Sequence, residues 1–169
     1  MISALFSITA FLSAFLLFVI QPMVGRLLLP NFGGAAAVWN TCLVFFQGML
    51  FLAYVYAHFI ARSSPRGTQS RFWAFIHASL IAAAVIVLVQ QGFNLDPSGV
   101  DLTAPATSVF TLLLVGFAVP LLALGASAPL LQHWYAGQSG KNPYWLYVAS
   151  NIGSFLALAA YPLIIERQL

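Results

Sequence analysis

Charge is what this sequence has least of. Of its 169 residues, six are Lys or Arg and three are Asp or Glu, 5% charged in all. Soluble domains carry about a quarter. A water-soluble fold of this length keeps a large wetted surface, and too few ionic side chains exist here to cover one. Six basic residues leave no nucleic-acid footprint either, so no nucleic-acid partner is expected. Neither Asp96, Asp101 nor Glu166 falls in the centre of an apolar run, which weighs against a self-sufficient proton-driven pump. Such a pump needs a carboxylate or basic relay inside the membrane. A lone cysteine, Cys42, excludes an intrachain disulfide and a thiolate metal cage, and reads as a small apolar residue within a span. No phosphate loop, catalytic triad or carboxylate pair is present. The chain is therefore expected to be non-enzymatic, and no cofactor is predicted.

What fills the sequence instead is hydrocarbon. Hydrophobic residues make up 62% and the mean hydropathy is +0.95. About 20 apolar residues cross a bilayer as helix, and five stretches are long enough: residues 3–24, 38–61, 72–92, 107–131 and 143–165. Each is a continuous run without period-2 alternation, which predicts helix over strand. The fold class is thus all-α, a polytopic transmembrane helical bundle of about five spans in a single domain, residues 1–169. The N-terminal run is long and lacks a basic leader, so an uncleaved first span is expected.

The few charges orient the bundle. Arg62, Arg66 and Arg71 share one connector and Lys141 lies in another on the same side, while Asp96 and Asp101 occupy a connector without Lys or Arg. The positive-inside rule then predicts a cytoplasmic N-terminus and a bacterial-type inner (cytoplasmic) membrane location, multi-pass. Arg26 and the C-terminal Glu166-Arg167 fall on the outer side. An odd number of spans ending in a charged stop predicts a sixth span or a separate partner.

Within the spans, polar and helix-breaking residues mark the places to examine. Pro120 and Pro129 interrupt the fourth span. Each removes a backbone donor and crowds the preceding turn, which predicts helix kinks, and a broken helix would expose carbonyls to a substrate. His58, His77 and His133 all fall near the predicted cytoplasmic face. Imidazole is a common metal ligand, but no carboxylate, thiol or i,i+4 histidine partner accompanies them, so interfacial hydrogen bonding is expected and no metal. Trp39, Trp73, Trp134, Tyr135, Tyr144 and Trp145 are placed as an interfacial aromatic belt. In the fifth span, Ser150, Asn151, Gly153 and Ser154 sit amid hydrocarbon. The small residues permit close helix approach, and Asn151 is expected to bond Asn40 or Gln47 of the second span.

Three blocks carry a family resemblance. "FVIQPMVGRLLLPNFGGAAAVWNTCLVFFQGMLFLAYVYAH" (Phe18–His58), "APLLQHWYA" (Ala128–Ala136) and "NPYWLYVASNIGSFLALAAYPLIIE" (Asn142–Glu166) resemble, in this order, the membrane part of the fused major-facilitator/spermidine-synthase-like family. The resemblance implies a membrane module without the soluble aminopropyltransferase-like domain, since no Gly-rich strand–turn–helix segment is present. Where that family tends to have an acid–proline pair after the last span, this chain has Glu166-Arg167.

Three roles follow as expectations. The first is a non-catalytic subunit or scaffold, set in the lipid bilayer and packed with other membrane protein subunits of a larger complex. The second is a transporter module for a small polar or cationic, polyamine-like metabolite. The third is a membrane anchor for a separate, soluble spermidine-synthase-like partner.

Overall fold

The computed structural model describes residues 2–63, 68–91, 103–140 and 142–168. Arg66, Lys141, Asp96 and Asp101, on which the orientation largely rests, lie outside them. Helix is the regular structure of the described residues: α1 (Ile2–Phe32), α2 (Ala36–Ser63), α3 (Thr68–Gln91), α4 (Pro105–Ser139) and α5 (Tyr144–Ala160), the last continued by a π-helical turn (Tyr161–Ile165). Among the described residues, five helices are long and apolar enough to cross a membrane. This is a multi-pass architecture, with large apolar side chains such as Phe51, Phe75, Val89, Trp145 and Phe155 pointing outward. In water that surface would be an aggregation hazard; in lipid it is the ordinary exterior. The outward hydroxyls also obey the lipid. Ser7, Thr9, Thr41, Ser79 and Thr111 each donate to the carbonyl one turn back, so none of these five hydroxyl protons is left bare in hydrocarbon.

Two helices outrun their expected lengths. The first apolar run predicts an end near residue 24, but α1 continues beyond it through Arg26 and Pro30 to Phe32. The fourth was placed to end near 131, but α4 runs on to Ser139, unbroken by Pro120 or Pro129. Glycine, not proline, stops them. Gly33 and Gly140 adopt φ of 66° and 64°, and their N–H groups close on the Leu29 and Ala136 carbonyls. That left-handed cap is open to glycine at little cost. Burial explains the extensions. Val24 and Leu28 of α1 pack with Val38 and Cys42 of α2, and Leu130 and Trp134 of α4 pack with Ala57 and Ile60 of α2.

α4 is the most deeply buried helix and α3 the least. The largest contacts join α2 to α4 and α1 to α5, while α3 rests chiefly on α4. Buried positions on α2 (Val38, Cys42, Phe45, Met49, Ala53, Ala57, Ile60) recur every three or four residues, the spacing of one helical stripe. They meet the matching stripe of α4, with Gly125 against Ala53. α1 and α5 run parallel: Gly153 abuts Phe11, Tyr161 donates to the Pro22 carbonyl at 3.2 Å, and Arg26 reaches Glu166. A parallel first and fifth helix is what alternating crossings require. At this end Arg26 donates to the Glu166 backbone carbonyl and lies 3.8 Å from its carboxylate. Both side chains are partly exposed, so the pair adds little stability of its own.

The tightest approach is at Gly153. A Cβ there would land on the Phe11 carbonyl, whereas one at Gly48 would meet nothing within 4 Å. Gly153→Ala is therefore expected to destabilise the protein by about 1–3 kcal/mol through forced separation of α1 and α5. Gly48→Ala is expected to be neutral or mildly stabilising, as alanine is the better helix former. Thermal unfolding in detergent, followed by intrinsic fluorescence, distinguishes them. Equal midpoints for the two variants would refute the close-packing account.

Candidate functional site

The polar residues of α5 open onto a cleft of about 300 Å³ between α1, α2, α4 and α5. One wall is α4 where Pro129 supplies no N–H to the Gly125 carbonyl, and Gly125, Ala128 and Pro129 keep that wall low. The facing wall is one side of α5: Tyr147, Ser150, Asn151 and Ser154, spaced to recur on one helical face. Tyr54 of α2 and Gln132 of α4 add polar groups, and Ala14, Leu17 and Phe18 of α1 close the apolar side.

The hydrogen-bonding state of this lining decides what it can hold. Ser150 donates to the Tyr147 carbonyl at 2.9 Å and Ser154 to the Ser150 carbonyl at 3.0 Å. Both hydroxyl protons are spent within α5, so these serines offer only acceptor lone pairs. Asn151 is exposed and its amide has no hydrogen-bond partner among the described residues. Among the described residues, no Asp, Glu, Lys, Arg or His lines the cleft. Its chemistry is neutral hydrogen bonding with an amide at the centre, suited to another amide or a hydroxyl and without a counter-charge for a cation.

The other expected site residues are dispersed. Asn40 lies in a separate, open groove of about 450 Å³ with Thr41, Val44, Ala106, Thr107 and Phe110. Gln47 is exposed, and neither it nor Asn40 lines the Asn151 cleft. Gly153 faces α1, so the close approach expected of the fifth span is made to the first span, not the second. Pro120 is buried in α4, and Pro129 borders the cleft. His58 and His133 are exposed and His77 is buried. Among the described residues no group of three or more His, Cys, Asp or Glu could hold a metal.

Two features escaped the sequence. Trp134, placed in the interfacial belt, is buried against His77. Ser127 is hydrogen-bonded to His77 at 3.0 Å. The available signal was spacing: Ser127, Leu130 and Trp134 fall on one buried face of α4. A serine–histidine contact invites comparison with a nucleophile and its base, but Ser127 is 2% exposed and no substrate could reach it.

The chain matches no protein-family model, no curated protein and no solved structure.

Because Asn151 makes no hydrogen bond among the described residues, Asn151→Leu is expected to change the stability of the isolated protein by no more than about 0.5 kcal/mol, as for an exposed position. Chemical or thermal unfolding in detergent measures it. A loss well beyond that would show an intrachain partner for the amide.

Proposed function

We propose that this protein is a non-catalytic, multi-pass subunit that packs with partner membrane proteins, with Asn151 as the polar anchor of the contact. The observation that carries this reading is the amide itself. It projects from a membrane-spanning helix into an open cleft without a partner among the described residues. In lipid an unpaired amide is costly, and interhelical amide bonds are a recurrent means of holding membrane helices together. The likeness of the Phe18–His58, Ala128–Ala136 and Asn142–Glu166 blocks to the membrane part of the fused major-facilitator/spermidine-synthase-like family supports a module that works beside other chains. The proposal places the protein in a bacterial-type inner membrane with its N-terminus in the cytoplasm. Reporter fusions at the two termini test that orientation, and a signal for a periplasmic N-terminus would reverse it.

Mild detergent extraction of the tagged protein, with identification of what co-purifies, is the central experiment. A stable larger assembly is expected. An interhelical hydrogen bond is worth about 0.6–2 kcal/mol, so Asn151→Leu should weaken association by roughly 3- to 30-fold while leaving the free protein folded. Recovery of a lone, monodisperse protein under every mild condition would overturn the reading.

One feature favours a second reading, a transport module. The cleft is of small-molecule size and borders the Gly125 carbonyl that Pro129 leaves without its usual donor. With no carboxylate in the lining, the cargo favoured is a neutral polar metabolite in preference to a cationic, polyamine-like one. Uptake of neutral solutes by the protein alone in liposomes is the expected sign. Flux no greater than in empty vesicles would remove this reading.

A further inference from the structure

A second set of polar atoms, apart from the cleft, gathers around one imidazole. His77 of α3 is 4% exposed. The rings of Tyr56 on α2 and Trp134 on α4 flank it, each with its centroid 6.0 Å away. His77 Nε2 lies 3.0 Å from Ser127 Oγ, and that hydroxyl lies 2.7 Å from the Ala123 carbonyl oxygen. A hydroxyl has one proton and a carbonyl can only accept. The serine proton therefore goes to Ala123, and His77 donates its Nε2–H to Ser127. This leaves a bare lone pair on Nδ1 of the neutral ring.

Nδ1 is buried and has no hydrogen-bond partner among the described residues. The same holds for the Tyr56 hydroxyl and the Trp134 indole N–H. Three unpaired polar atoms on neighbouring rings, inside a membrane-spanning bundle, are too costly to be independent accidents. Their characters differ: Trp134 only donates, Nδ1 only accepts, and Tyr56 does either. A guest that satisfies all three must accept and donate, be uncharged, and be small enough for a buried site.

We propose that His77, Tyr56 and Trp134 bind a single internal water molecule. It accepts from the Trp134 N–H, donates to His77 Nδ1 and completes its bonding on the Tyr56 hydroxyl. Three partners of this kind are the usual complement of a buried water. The resulting chain of hydrogen bonds runs from α2 through the water and His77 to Ser127 and the Ala123 carbonyl of α4. It would clasp α3, the least buried helix, to its neighbours. The site is independent of both readings of the cleft.

The test is NMR of the ¹⁵N-labelled protein in lipid nanodiscs, with the Trp134 indole assigned by Trp134→Phe. The expected result is magnetisation transfer from water to the Trp134 N–H, with His77 in the Nε2–H tautomer and its Nδ1 hydrogen-bonded. His77→Leu should abolish the transfer at Trp134 while leaving that at Trp39 unchanged. Tyr56→Phe, a milder change, should reduce it about twofold or more. Absence of transfer in the wild type, a free Nδ1, or a coupling showing Nδ1 bonded directly to Trp134 or Tyr56 would each overturn the proposal. So would undiminished transfer in Tyr56→Phe.

Discussion

Lipid removes the force that assembles soluble proteins. Between helices already surrounded by hydrocarbon there is no apolar surface to take out of water, so close contact and hydrogen bonds must hold the bundle. The rest of this structure follows from that constraint. The α1–α5 pair meets where Gly153 lets the Phe11 backbone come near, and the α2–α4 pair where Gly125 meets Ala53. Several outward hydroxyls are turned back onto their own helices, and two groups of polar side chains gather within the bundle, at the Asn151 cleft and the His77 cluster.

Those two places differ in kind. The cleft is open, neutral and centred on an amide without a partner among the described residues, a surface that gains from something arriving. The His77 cluster is closed, and it joins helices that are already together. Both depend on α4. Its Gly125–Pro129 segment presents Gly125, Ala128 and Pro129 to the cleft and Ser127 to the histidine. A proline in a soluble helix mainly breaks it. Here neighbouring helices support the backbone, and the helix stays whole.

Much of the fold was legible because span-length hydropathy is a strong signal, and all five helices lie where the apolar runs predict. Helix ends were less legible. Pro30 and the polar run after Leu131 look like connectors, but membrane helices tolerate proline, and the true stops are the left-handed Gly33 and Gly140. At the cleft, Ser150, Asn151, Ser154 and Pro129 stood out as polar or breaking residues in hydrocarbon. Tyr54, Gln132 and Tyr147 did not, because only the packing shows which faces meet. No periodicity pairs His77 with Ser127, fifty residues apart, or sets the first helix beside the fifth.

The π-helical turn at the end of the fifth span shows how little such pairings need. Its backbone bond runs from the Glu166 N–H to the Tyr161 carbonyl, five residues back instead of four. The turn thus takes in one more residue than an α-helix would, and a single residue corresponds to about 100° of rotation around the axis. Pro162, which has no N–H to give, sits inside it. The widened turn works as a swivel. Tyr161 keeps the heading set by the helix before it and reaches Pro22, while everything beyond is turned by roughly a quarter of a circle, bringing Glu166 round to Arg26.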